Sequence, residues 1–556
     1  MNADSTQTLT IVETTPVLTL NNQITNLLDE FKKTTQQKNK DYTPIHVDEM
    51  ASKVAKLYEL IRKVVDWKED TILRRNAIER ILKRVIFTNI TGVSFSKEPR
   101  EQKMAEIVTM DLIRGGHLPN DSIPREYIPK VAQCLKKYLF VLDYSSGNSM
   151  NIKMKMNYST FIIEIAACEI EDILSEPLKE NLILLTMARS LNERIKIIPS
   201  TVLTPEDKYV QTYIACCRSL YDLDDAYISY QLFKFQYPQW THADDTFIQF
   251  LITNMPTLKV HVEALLAHPL RKKFNAVCES ADTVFVIIDD FIERYKNDLN
   301  ALCTVLQDKQ KSTELISEFY DKRYHSLKTR LFRYGIFSTL SVFLSNSFTF
   351  FIVEIPLAHL FYEGFDLFTT LADFLIPTAL MFVMVSIIRP PPASNREKVI
   401  EASVNYIYDQ GRKKLLEIYP YQKRNPILMA IVSILYITLT LVIFSATAWV
   451  FYIAGLPITS VIFDSFTIAL TIFAAVLIRN KSKELTIEDK PHIWDFFLDT
   501  ISIPIAKIGS VMAAKWKEYN VISIFFNFVL ETPFAFLIDF VEGWSQYIKE
   551  KRAELH

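Results

Sequence analysis

Two apolar segments lie back to back between Tyr334 and Ile388. Gly335 to Val353 carries no charged residue, and neither does Phe374 to Ile388. A second pair follows at Ile427 to Ala454 and Ile458 to Ile478, parted by Gly455, Leu456 and Pro457. A helix needs about 20 mostly apolar residues to cross ~30 Å of hydrocarbon at ~1.5 Å per residue. The pattern therefore predicts two helical hairpins, with spans at about 335–356, 367–388, 427–454 and 458–478.

Upstream of this block, apolar positions recur at three- and four-residue steps, the spacing of one buried helix face. Val47, Met50, Val54, Leu57, Leu60, Ile61, Val64 and Val65 make one such face, and Ile72, Leu73, Ile78, Ile81, Leu82 and Val85 the next. Further helices are expected over 97–115, closed by Gly115-Gly116, over 131–141, and as a hairpin of 158–173 and 178–195 turning at 175–177. Thr204-Pro205-Glu206 opens another that runs past Cys216 toward Gln236. No proline falls between Asp298 and Ile355, so 298–333 is read as a helix that continues into the first span. Val284 to Asp290 fits either a strand or a buried helix turn. Residues 1–45 are read as a flexible lead with a short helix at 22–33, and the Ser-, Gly- and Asn-rich stretch 143–151 as a subdomain boundary.

Two polar regions flank the spans on the far side. In the loop 389–426, Ser394 and Glu397 form a capping box that starts a helix carrying Val399, Ile400, Val404, Ile407, Leu415 and Leu416. In the tail 481–556, apolar residues of 493–514 and 521–541 are interrupted by Asp495, Asp499, Lys507, Glu531 and Asp539. These are read as amphipathic helices on the membrane surface, with Trp494, Trp516 and Trp544 at headgroup level. A re-entrant or fifth span at 521–541 is the alternative. The fold class expected is all-α: a helical cytosolic domain over 46–330, a four-helix transmembrane block over 331–480, and surface helices beyond.

Charge sets the orientation. Lys322, Arg323, Lys328, Arg330 and Arg333 precede the first span, Arg389 to Arg424 supply the central loop, and Arg479, Lys481 and Lys483 follow the fourth. The two remaining loops hold Glu363 and Asp366 and no base. Basic loops stay cytosolic, which places both termini inside the cell and the protein in the inner (cell) membrane. Juxtamembrane Lys and Arg gain roughly 1 kcal/mol each near anionic lipid. The partners expected are thus the bilayer and its anionic headgroups at the inner face, a cytosolic protein and further copies of the chain, and not nucleic acid. The N-terminus, MNADSTQTLT, has no basic-then-apolar leader, so the first span is expected to lead insertion.

Composition changes this picture little. Ten glycines in 556 residues favour helix over turn-rich sheet. The six cysteines all precede the spans with no C-x-x-C spacing, so neither disulfide nor zinc ribbon is expected. No phosphate-cradling glycine loop, G-x-S-x-G or H-E-x-x-H occurs. No catalytic residue, cofactor or metal is assigned.

Candidate chemistry lies in two places. Glu354, Asp373 and Asp464 are the acids of the spans, roughly 22 to 32 Å from the cytosolic arginines at ~1.5 Å per residue. Intramembrane acids mark ion or proton sites, yet carboxylates near an interface are cheap, and that interfacial reading is favoured. Arg74, Arg75, Arg80, Lys83 and Arg84 share one helix face, which suits an anionic partner or local pairing with Glu69, Asp70 and Glu79. The acids Glu164, Glu169, Glu171 and Asp172 lack the Glu-x-x-His spacing of a bundle metal site and are read as solvated. Asp222, Asp224 and Asp225 lack the glycine and closing Glu of a calcium loop, and His242, Asp244 and Asp245 lack a second histidine at ligand spacing.

The run YELIRKVVDWKEDTILRRNAIERILKRVI at 58–86 resembles the N-terminal signature of uncharacterised bacterial multi-pass membrane proteins. The resemblance implies architecture and no activity. The function expected is that of a non-enzymatic, membrane-anchored interaction or scaffold protein. The alternative is an oligomeric small channel or transporter using Glu354, Asp373 and Asp464.

Overall fold

The computed structural model describes residues 20–35, 43–46, 53, 70–89, 99–145, 152–356, 367–408, 415–420, 425–453, 458–487, 500, 502–513 and isolated positions from 537 to 552. The first predicted helix face, the whole run 58–69, residues 146–151 and nearly all of 521–541 lie outside them. Among the described residues the chain is helical apart from two three-residue strands, as an all-α fold requires.

The helical domain opens with α1 (Asn22–Thr35), α2 (Asp70–Asn89), α3 (Arg100–Arg114), α4 (Tyr127–Ser145), α5 (Ile152–Ser175) and α6 (Leu178–Arg194). The expected helix at 22–33 is present, but it is no part of a flexible lead. Ile24, Leu27, Leu28 and Phe31 are buried at four- and three-residue steps, so α1 joins the core along α6. After β1 (Ile195–Ile197) come α7 (Pro205–Tyr221), α8 (Asp225–Gln236), α9 (Asp245–Leu266), α10 (Arg271–Glu279), α11 (Asp282–Arg294) and α12 (Leu299–Gln307).

Aspartates punctuate this series. The helix predicted from Thr204 to Gln236 is broken at Asp222, which adopts the left-handed conformation that ends α7 (φ 48°). Asp224 then caps α8 by accepting from the Tyr227 N–H at 2.9 Å, and Asp244 caps α9 through Phe247 N–H at 2.8 Å. Such caps satisfy amides that the first helical turn leaves unpaired. The acids that mimic half a calcium loop are thus helix ends. Val284 to Asp290 is helical, because Phe285, Ile288 and Ile292 fall on the buried side of α11.

The long helix α13 (Lys309–Thr349) begins in the helical domain and runs on through the apolar stretch, ending in a π turn at Phe350–Glu354. Its start lies eleven residues later than the sequence suggests, because Asp308 caps a new helix through Gln310 and Lys311 N–H groups. Forty-one residues without a break make a rod of ~60 Å. Beyond it come α14 (Leu367–Ile387), α15 (Ser394–Ile407), β2 (Leu416–Ile418), α16 (Pro426–Ile453) and α17 (Ile458–Ser482). The segments Lys309–Ile352, Pro426–Ile453 and Val461–Ser482 are long and apolar enough to cross a membrane; the described apolar part of α14, Leu375–Ile387, is shorter.

α14 packs between α13 and α17. Gly335 permits the first contact, since a Cβ there would sit 2.6 Å from Val385 Cγ1. A further helix, α18 (Ser502–Ala513), lies against α17 so closely that a Cβ on Gly509 would meet the Ala469 carbonyl oxygen at 2.2 Å. Ala469 is ten residues before Arg479, so α18 reaches ~15 Å up the apolar helix. Ile505 and Ala506 are buried there with Ile468, Ala469, Ile472 and Phe451. The tail segment 502–513 thus packs on α17. Its small residue lets it lodge beside α17.

Candidate functional site

Two polar centres organise the molecule: a charged layer inside the helical domain, and a collar where that domain meets the apolar helices. The first grows from α5. Lys137 (2% exposed) reaches Glu169 (1% exposed) at 2.8 and 2.7 Å and donates its third N–H to the Trp240 carbonyl at 2.7 Å. Glu169 also accepts from the Tyr138 hydroxyl at 2.6 Å and from Trp240 Nε1 at 3.0 Å. All three ammonium protons are therefore used, and the Tyr138 and Trp240 rings flank the cation at 4.7 and 5.2 Å. Burial, reinforced by the Glu169 charge, pushes the Tyr138 hydroxyl well above its usual range, which keeps it a donor.

Two residues on, Glu171 meets Arg74 at 3.1 Å and Arg75 at 2.9 Å, and Arg75 (4% exposed) also holds the capping Asp224 at 2.9 Å. Burial pushes the Glu171 carboxyl up to about 7, against the pull of Arg75 and Arg74. Asp172 accepts from Tyr230 at 3.0 Å and Lys234 at 2.6 Å. The expectation that Glu169, Glu171 and Asp172 are solvated is wrong: these carboxylates are inside, matched by cations from three other helices, α2, α4 and α8. On the basic face of α2, Lys83 pairs with Glu79 and Arg84 with Asp111, while Arg80 is half-buried. Among the described residues no group of three His, Cys, Asp or Glu side chains could hold a metal ion.

The collar joins three stretches that leave the apolar helices. Arg396, in the first turn of α15, forms two bonds of 2.9 Å to Asp321 on α13. Asn395 (2% exposed) donates to the Leu485 carbonyl at 2.6 Å and the Tyr320 hydroxyl at 3.2 Å, and accepts from the Ile487 N–H at 3.2 Å. Arg330 on α13 grips Glu484 at 2.8 and 3.0 Å, and Lys481 meets Asp222 at 2.6 Å. The capping box foreseen at Ser394 and Glu397 is not made, because the helix starts at Ser394 itself with Ala393 as its cap. Asn395 works across the collar instead.

The central loop is fastened from the other side too. Asn21, just before α1, donates its backbone N–H to the Ile407 carbonyl at 2.9 Å and its side-chain amide to the Tyr406 carbonyl at 3.0 Å. β1 pairs with β2 in parallel, Ile195 opposite Leu416. One hydrophobic core consequently runs from Ile24 through α15 to Leu485. Displacing α15 or the 481–487 segment would move α13 as a body, so the collar can transmit position between the helical domain and the apolar helices.

Asp282 opens α11 near Glu484, and burial, with the charges of Glu279 and Glu484, pushes its carboxyl up to about 8. The folded-state value lies above the unfolded one, so the native protein holds a proton the unfolded chain has released. Stability from this group is complete below about pH 4 and declines as pH rises toward about 8. Asp282→Asn is expected to match the parent near pH 4 and to exceed it by about 5 kcal/mol at pH 8, read from melting curves in detergent. An unchanged gap between the two pH values would show that Asp282 titrates normally.

Of the span acids, Asp464 is described: it is wholly buried (0% exposed) on α17, beside Ser465, whose hydroxyl bonds the Val461 carbonyl at 2.7 Å. The side chains of Glu354 and Asp373 lie outside the described residues, so the structure does not bring the three together or part them. The collar residues were missed by the sequence reading; the triple proline 390–392, which fixes the chain's exit before Asn395, is the one local cue. No family model matches this chain, and no curated protein or solved structure shows significant similarity to it.

Proposed function

We propose that this chain is a multi-pass membrane protein with both termini in the cytosol, in which a four-helix membrane block carries a helical domain that serves as a non-enzymatic interaction or scaffold module at the inner face of the cell membrane. The observation behind this reading is the collar: the domain is bolted to the apolar helices by Asn395, Arg396, Arg330 and the β1–β2 pair, so it is held at a fixed attitude to them. α16 supports the membrane assignment, because its most apolar window has no residue buried inside the protein. Such a surface needs hydrocarbon or another apolar partner.

A partner surface is offered by Phe140 and Tyr144 at the end of α4 and Met154 and Met156 at the start of α5, all exposed. Methionine-rich apolar surface suits protein docking. Photocrosslinkers placed at these four positions in the full-length protein, in intact cells, are expected to trap one discrete protein adduct that Met154→Asp with Met156→Asp removes. No adduct at any position sinks the scaffold reading. Reporters at Gly364 and after His556 test the topology, and both on one side of the membrane would overturn it.

Asp464 favours a second reading, a channel or transporter, since a carboxylate buried among apolar helices is costly unless it has a task. In proteoliposomes the triple variant Glu354→Gln, Asp373→Asn, Asp464→Asn is then expected to abolish proton or cation flux, because the ionisable groups that would carry it are gone. Flux equal to the parent's, or none in the parent, removes this reading.

A further inference from the structure

A groove of about 610 Å³ opens between α13 and α14, with Ile478 of α17 at its floor. That volume falls within the ~300–1,000 Å³ of ligand sites. Its walls are Phe332, Ile336, Phe343 and Phe382, and two of the hydroxyls along it are spent within their own helices: Thr339 on the Gly335 carbonyl at 2.8 Å, Ser386 on the Phe382 carbonyl at 2.7 Å. The deep wall therefore offers hydrocarbon and no spare donor, which suits neither an ion nor a polar solute. The mouth differs. Exposed Lys328 lines it, and exposed Arg389 lies between the lining residues Ile388 and Pro390. The nearby carboxylates Asp321 and Glu484 are already engaged by Arg396 and Arg330.

From Lys328 to Phe343 the helix rises ~22 Å, and from Ile388 to Thr378 ~15 Å, the depth of one leaflet's hydrocarbon. We propose that this groove is a phospholipid site that takes one acyl chain of an anionic lipid from the inner leaflet, with its phosphate at Lys328 and Arg389. The proposal rests on the membrane reading above and names the partner of that block. A lipid wedged between α13 and α14, beside the collar, sits where it adjusts the angle between the rod and the hairpin.

The test uses the full-length protein in phosphatidylcholine nanodiscs holding a small fraction of phosphatidylglycerol or phosphatidylcholine with a photoactivatable acyl chain. Adducts are mapped by mass spectrometry. Labelling of Phe332, Ile336 and Phe382 by the anionic lipid is expected to exceed that by the zwitterionic one about thirtyfold, the factor two cations contribute beside anionic lipid at ~1 kcal/mol each. Lys328→Glu should erase that preference. Ile336→Trp, which fills the groove without touching the α13–α14 contact at Gly335, should cut labelling of Phe382 by both lipids.

Ile434, Leu435 and Val442 on exposed α16 report bulk lipid. Labelling there with equal use of both lipids in the groove, or a preference that survives Lys328→Glu, overturns the lipid site and leaves the membrane reading standing. Labelling at neither α16 nor the groove overturns both.

Discussion

Glu169→Ala is expected to destabilise the helical domain by about 3–5 kcal/mol, the range measured when one partner of a buried ion pair is removed. The reason is the company left behind. Lys137 would keep its place under the rings of Tyr138 and Trp240, with the Trp240 carbonyl as its remaining acceptor among the three it now has. A buried ammonium so placed must lose its proton or pull water inward. The Tyr138 hydroxyl and Trp240 Nε1 lose their carboxylate acceptor at the same time. Lys137→Met should cost a similar amount, by stranding Glu169. The double variant Lys137→Met with Glu169→Leu should recover most of the loss, since apolar replacement of a whole buried pair is often neutral or better. A double-mutant cycle on denaturant melts, followed by Trp240 fluorescence, separates the pair term from the singles. Single variants within about 0.5 kcal/mol of the parent would show that the layer is not carrying the domain's stability.

How much of this was visible in the chain depends on distance along it. Elements set by local rules could be read directly. Thr204-Pro205 starts α7, the turn at 175–177 joins α5 to α6, and the proline-free run beyond Asp298 carries a helix into the apolar stretch. The break at Asp308 was legible in principle, because an aspartate two and three residues ahead of free amides is a cap signal. Asp222 was not, because a left-handed non-glycine residue has no reliable local signature. The charged layer was beyond a local reading for a different reason. Lys137 and Glu169 are 32 positions apart and Arg75 and Asp224 are 149 apart, and nothing in the spacing of acids on α5 says which face is buried. Acids on a helix are solvated by default, and the default failed where three helices deliver cations to α5. The strands Ile195–Ile197 and Leu416–Ile418 are too short for a period-two pattern to register. They exist because each covers the other's edge.

The collar makes the second large prediction, and it bears on function as well as stability. Asn395→Leu is expected to cost about 2–4 kcal/mol, since it leaves the Leu485 carbonyl and the Ile487 N–H inside without a partner, at roughly 1–3 kcal/mol each. Leucine keeps the branched shape and is no smaller, so no cavity is left and the lost hydrogen bonds carry the effect. Arg330→Ala removes a half-exposed ion pair with Glu484 and should cost under about 1 kcal/mol. The contrast matters more than either value. If the buried asparagine is the bolt, amide exchange at Ile487 in the full-length protein should rise by about tenfold or more in Asn395→Leu, while Arg330→Ala leaves it near the parent's rate. Exchange within α5 should stay unchanged in both, because α5 packs chiefly on α2, α4 and α8 and not on the collar helices. A domain held this way moves with its apolar helices. Loosening Asn395 should therefore weaken any adduct formed at Met154 and Met156 only if partner docking depends on the domain's fixed attitude. Ile487 exchange that ignores Asn395→Leu and follows Arg330→Ala instead would transfer that role to the surface ion pair, and a salt-sensitive joint would replace a rigid one.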